Sequence, residues 1–193
     1  MVKKKVAVLV SGGGTNLQAL IDAENQGIIK SGTISLVVSN KESAYALERA
    51  KNAGIEGIYI KRGADFEENL VTLLTDRQID FIVLAGFLSI LSENFVKKYD
   101  KKIINVHPSL IPSFCGDGFY GLRVHEAALA KGVKVTGATT HFVNEITDGG
   151  EIIMQKAVEI APDDTAESLQ LKVMQEAEWK ILPLSVEKVC SEM

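Results

Sequence analysis

Short apolar runs alternate with helix-periodic stretches along most of this chain, and that alternation limits the available folds more than any other feature. The runs KVAVLV (5–10), TISLVVS (33–39), GIYI (57–60), IDFIVLAG (79–86) and KKIINV (101–106) are separated by helical patterns near 16–24, 43–53, 66–76 and 93–99. Strands that are apolar on both faces, each followed by a helix, belong in a mainly parallel α/β sheet covered on both sides. After a further helix near 124–130, two runs, VTGATTHFV (135–143) and EIIMQKAVEI (151–160), are joined by NEITDGG and are expected to pair as a hairpin extending the sheet. A last helix is expected from Asp164, with Glu167 completing a capping box, to about Ile181, with Leu169, Val173, Met174 and Ala177 as its apolar stripe.

With 193 residues and no repeat or linker, the chain is expected to form a single domain over 1–193. Hydrophobic residues at 46% and charged residues at 24% exclude disorder, and a net charge of -4 argues against a broad nucleic-acid surface. Cys115 and Cys190 stand in no CxxC or His-rich spacing, so neither a disulfide framework nor a metal site is expected. Lys3, Lys4 and Lys5 precede the run VAVLV, which is shorter than the roughly 7–15 residues of a signal core, and no stretch reaches the ~18 of a membrane span. The expectation is a cytoplasmic protein that engages neither membrane nor nucleic acid.

Where the first strand turns into the first helix the sequence is SGGGTN, 11–16. Such a turn points backbone N–H groups outward at a helix N-terminus, where the dipole favours an anion. A dinucleotide fingerprint would need glycine where Leu17 stands and an acidic residue where Ser39 and Asn40 stand, and no Gly-Lys-Ser/Thr run exists. A phosphate monoester is therefore favoured, with a merely tight turn as the alternative.

The fifth apolar run ends NVHP. Asn105 and His107, two apart on a strand, face the same way at the carboxyl edge of the sheet, where open α/β folds bind ligands. An amide donor and a titratable imidazole together suit an oxygen that gains negative charge during an addition step. Asp148, in the turn TDGG, is the carboxylate best placed to orient or charge His107. Alternatives are a purely structural histidine and a thiol nucleophile, Cys115, in the Pro/Gly-rich segment 108–122. His125, at a helix start, reads as structural.

SGGGTNLQALIDA, SNKESAYALERAKNAGI, LAGFLSILS, NVHPSLIPSF and GATTHFVNEITDGGEII, in that order, resemble the glycinamide ribonucleotide formyltransferases of the folate-dependent formyltransferase family. The resemblance implies a Rossmann-like sheet with an antiparallel C-terminal extension. It also implies transfer of the formyl group of 10-formyltetrahydrofolate to the amine of glycinamide ribonucleotide in purine synthesis, by a monomer or homodimer without a metal. Asn105, His107 and Asp148 would be catalytic, and Gly13, Gly14, Thr15 and Asn16 would hold the phosphate. Glu178 would meet the amine or ribose, Leu88, Ser89, Ile90 and Leu91 would turn backbone groups to the pterin, and Thr139, His141 and Val143 would border that cleft. The family's basic residue in a Ser-Arg-Glu segment is missing from KRGADFEENL, so Arg62 or Lys61 would substitute; residues 113–122 form a longer loop than is usual. Formyl transfer to another amine, folate deformylation and non-catalytic phosphate sensing are the rival functions.

Overall fold

The computed structural model describes residues 2–193. The chain runs β1 (Lys4–Val10), α1 (Thr15–Asn25), β2 (Gly32–Ser39), α2 (Tyr45–Asn52), β3 (Glu56–Tyr59), α3 (Phe66–Asp76), β4 (Phe81–Leu84), α4 (Glu93–Lys98) and β5 (Ile103–His107). It continues through α5 (Leu122–Lys131), β6 (Val135–Phe142), β7 (Ile152–Glu159), α6 (Ala166–Val173), a π-helical turn (Met174–Glu178) and α7 (Trp179–Glu192). The strands form one seven-stranded sheet in the order β3-β2-β1-β4-β5-β6-β7, parallel as far as β5 and antiparallel beyond it. The expected architecture and hairpin are both present. No helix among the described residues is long and apolar enough to cross a membrane.

The apolar runs divide by strand parity between the two faces. Val6, Val8 and Val10 pack with Leu17, Leu20, Leu182 and Val186 on the face covered by α1 and α7. Ala7 and Leu9 pack with Leu70, Leu74 and Phe95 on the face covered by α3 and α4. A strand buried on both sides has no solvent face to keep polar, which is why these runs lack alternation. At the antiparallel end Ala138 and Val158 meet Leu169, Val173, Ala177 and Ile181, so most of the predicted stripe is core.

The C-terminal helix differs from expectation in three ways. Its cap is Thr165, whose side chain accepts from Ser168 N while Ser168 reaches back to Thr165 N; Asp164 accepts from Ala161 N at 2.8 Å and from Ser168 Oγ at 2.9 Å. Adjacent cap-competent residues allow such a one-residue shift. The helix also passes Ile181 and runs to Glu192, because Val186, Val189 and Cys190 bury a further apolar face. Third, the π-helical turn interrupts it at Met174–Glu178, which sets the direction of Glu178.

Strand order reverses between β1, which leads outward to β2 and β3, and β4, which leads to β5. Ligand crevices form at such switch points, outside the carboxyl ends of the strands. The loops after β1, β4 and β5 all open there.

Candidate active site

A cleft of about 600 Å³ occupies this edge, lined by Thr15 and Asn16 after β1, Gly86 to Leu91 after β4, Asn105 and His107 of β5, the 143–148 turn, and Glu178. At its centre three polar side chains meet because of strand register. Asn105 pairs directly across the antiparallel ladder with His141, and Asn105 Nδ2 lies 3.3 Å from His141 Nε2. His107, two residues on, shares that face. The connection between β6 and β7 then folds back and brings Asp148 between the two imidazoles, Oδ2 at 3.4 Å from His107 Nδ1 and Oδ1 at 3.5 Å from His141 Nε2.

That return depends on Gly150, since a Cβ there would collide with the Phe142 carbonyl, and on a left-handed Asp148 at φ 54°. Phe114, in the loop after β5, is also left-handed at φ 50° and directs its carbonyl to His107 Nε2 at 2.9 Å. Gly116 N donates to Asp148 Oδ2 at 2.9 Å. Two non-glycine residues thus hold a costly backbone conformation, and both flank His107, as strain gathered at a functional site does.

Both ring nitrogens of His107 face oxygen acceptors. A neutral imidazole carries one N–H, so only the imidazolium satisfies both. Burial works the other way and pushes the His107 pKa below its ordinary value, against the pull of Asp148 and the Phe114 carbonyl; His141 adds to the lowering. Burial would raise the Asp148 carboxyl, but the His141 hydrogen bond, the His107 charge and the Gly116 N–H together outweigh it and hold it below the usual aspartate value. A carboxylate thus stands ready to stabilise a protonated imidazole.

At the other end of the cleft, Gly14 caps α1 in the left-handed conformation, φ 73°, with no side-chain cap, so the first N–H groups of α1 lack intrahelical acceptors. Asn16 Nδ2 donates to Glu178 Oε2 at 2.6 Å, while Asn16 Oδ1 is buried without a partner among the described residues. The π-helical turn aims Glu178 at this point, and burial pushes its carboxyl up to about 6 against the Asn16 hydrogen bond.

Thr15, Asn16, Leu88, Ser89, Ile90, Leu91, Asn105, His107, His141, Val143, Asp148 and Glu178 all line the cleft. Ser11 Oγ accepts from Leu88 N at 2.9 Å and ties the loop after β1 to the loop after β4. Gly13 and Gly14 shape the turn without lining the cleft, and Arg62 is exposed on the connection between β3 and α3, outside it. Thr139 is likewise not in the wall. Fully buried, it donates to Ser109 O at 2.7 Å and accepts from Ile111 N at 3.1 Å, pinning the loop after β5. His141, expected at the folate border, sits in the polar centre.

Gly116 to Gly121, in the Pro/Gly-rich loop after β5, line the cleft, as do His125, Gln170 and Met174, which no motif or spacing announced. The cluster of glycines at 116, 118 and 121 was the available signal, since glycine permits close backbone approach. His125 is fully buried with both ring nitrogens unpartnered among the described residues, and burial, with the charge of His107, pushes it down to about 4. Cys115 Sγ donates to Pro112 O at 3.3 Å and burial, then Asp148, raises its pKa, the opposite of an activated thiol.

The formyl transferase family matches the chain over residues 4–186. Phosphoribosylglycinamide formyltransferase of Haemophilus influenzae is 39% identical over 188 residues, covering 95% of this chain and 85% of that protein. A chloroplastic phosphoribosylglycinamide formyltransferase of Vigna unguiculata is 36% identical over 195 residues, and the human trifunctional purine biosynthetic protein adenosine-3 is 43% identical over 194. Each of those two alignments covers 98% of this chain, which spans 62% of the length of the first protein and 18% of the second. Among solved structures, phosphoribosylglycinamide formyltransferase from Anaplasma phagocytophilum superposes with a TM-score of 0.90 at 41% identity, over 99% of this chain and 89% of that one.

Proposed function

Because the chain belongs to the formyl transferase family, we propose that it transfers the formyl group of 10-formyltetrahydrofolate to the primary amine of glycinamide ribonucleotide, a step of purine biosynthesis. The observation that carries this reading is the convergence of Asn105, His107 and Asp148 between a phosphate-type helix N-terminus and an apolar wall. The reading covers residues 1–193 as one formyltransferase domain acting in the cytoplasm on two small molecules.

The amine attacks the formyl carbon and the carbonyl oxygen takes up negative charge. Asn105 Nδ2 and the His107 imidazolium donate to that oxygen, moving from their present partners as it forms. Asp148 favours the protonated imidazole as the oxyanion forms and helps relay the amine proton, directly or through one water. The tetrahedral adduct then expels the folate nitrogen, which leaves with a proton, and the formyl oxygen stays in the product. Leu88 to Leu91 with Val143 supply an apolar bed and backbone hydrogen-bonding groups suited to a planar pterin. The phosphate rests on the N–H groups of Thr15 and Asn16, and Glu178, ionised at neutral pH, accepts from the amine or a ribose hydroxyl.

The test supplies 10-formyltetrahydrofolate with and without glycinamide ribonucleotide and follows folate deformylation and product mass. Deformylation that depends on the ribonucleotide and yields its N-formyl derivative supports the reading. Equal release of formate without it would make the protein a deformylase.

A further inference from the structure

A phosphate on SGGGTN is held more tightly with a cation beside the loop N–H groups, yet among the described residues lining the cleft there is no lysine or arginine, and Arg62 stands outside it. The cation nearest the loop is Arg49 of α2. Its Nε donates to Gly13 O at 2.8 Å and its Nη1 to Gln18 Oε1 at 3.0 Å, so the guanidinium spans the loop and the first turn of α1. It is held over the Tyr45 ring, 5.1 Å from the centroid. Helix α2 is fitted closely to the loop at two further points: Ala46 N donates to Gly12 O at 3.1 Å, and a Cβ on Gly14 would come within 2.7 Å of the Ala46 Cβ. The carbonyls of Gly12 and Gly13 are thus engaged by α2, which leaves the loop N–H groups as the face offered to an anion.

A second observation marks the same place as a ligand seat. Asn16 is 9% exposed and its Oδ1 is unpartnered, an acceptor lacking the donor that a substrate hydroxyl or amine would bring. Thr15 borders both the cleft and an adjoining hollow of about 470 Å³ that Arg49 also borders. A phosphate on the Thr15 and Asn16 N–H groups therefore lies between the substrate cleft and the guanidinium, whose Gly13 and Gln18 bonds leave other N–H groups free.

Building on the reading of the loop given above, we propose that Arg49 is the specificity-determining cation of this phosphate site, ordering SGGGTN and donating to the phosphate monoester. Kinetics with glycinamide ribonucleotide and with its phosphate-free counterpart, glycinamide riboside, separate this role from a structural one. Arg49→Gln lowers kcat/KM for the ribonucleotide by about 10- to 100-fold more than that for the riboside. Arg49→Lys keeps the charge but cannot span Gly13 and Gln18; it retains part of the preference, and it carries the test if the glutamine variant does not fold. Equal losses on both substrates in Arg49→Gln, a full preference surviving there, or a preference lost in Arg62→Gln alone would overturn the proposal. A wild-type protein that turns over formyl donor without preferring the phosphorylated acceptor would instead overturn the phosphate reading of the loop.

Discussion

Replacing Asp148 by asparagine removes one charge and preserves shape. The Asp148 and His107 side chains are 8% and 5% exposed and 3.4 Å apart, so solvent screens them weakly. At an effective dielectric of about 20, unit charges at that distance attract by about 5 kcal/mol. If roughly 60–80% of this is expressed as stabilisation of the imidazolium in the transition state, the loss is about 3–4 kcal/mol, or ~100- to 1,000-fold in kcat. Asparagine Oδ1 still accepts from Gly116 N, so the loop keeps its anchor. KM for either substrate should change little, because the interaction strengthens only as the oxyanion forms. The pH profile gives a second readout. Catalysis requires protonated His107, so its alkaline limb should move to lower pH in Asp148→Asn, where the opposing carboxylate no longer offsets burial. Steady-state assays of folate deformylation across pH decide the matter. A kcat within about tenfold of wild type, or a loss carried wholly by KM, would rule out this role for Asp148.

Asn16→Ala should raise KM for the ribonucleotide more than it lowers kcat, since it removes ground-state contacts and the Glu178 hydrogen bond; initial-rate kinetics would show the split. Glu178 has a folded pKa near 6, above its unfolded value of 4.5, so its contribution to stability falls as pH rises through that window. Glu178→Gln should therefore be more stable than wild type at pH 7 by about 2 kcal/mol, with the gap closing below pH 4.5, as denaturant unfolding at several pH values would reveal. His125 has the opposite sign for a base: its folded pKa near 4 lies below 6.5, so stability is full above pH 6.5 and is lost as pH falls toward 4. His125→Leu should flatten that acid loss, and an unchanged acid profile would count against it. Gly150→Ala should misplace Asp148 and lower kcat at least as much as Asp148→Asn, with a depressed melting temperature, because its Cβ meets the Phe142 carbonyl.

The sheet was readable because each of its central strands is apolar on both faces, and β1 bears this out in packing on α1 and α7 through Val6, Val8 and Val10 and on α3 and α4 through Ala7 and Leu9. The Asn105 and His107 pair was readable because strand parity is rigid, and Asp148 because two glycines follow it. Contacts made by backbone were not readable. The Phe114 carbonyl and Gly116 N–H that flank His107 and Asp148 carry no side-chain signature. The π-helical turn was hidden because one extra residue in a turn leaves composition unchanged, though it decides where Glu178 points. Thr139 shares the strand face of His107, but residues 109–111 cover it, so parity predicted its side and not its neighbours.

In direct transfer the amine attacks the formyl carbon and the carbonyl oxygen is retained throughout. A reaction run in heavy-oxygen water tests it in one experiment, with product and formate both read by mass spectrometry. Direct transfer gives N-formyl glycinamide ribonucleotide free of solvent oxygen and no labelled formate above the uncatalysed background. Labelled formate as the main product, or solvent oxygen in the transferred formyl group, would contradict it.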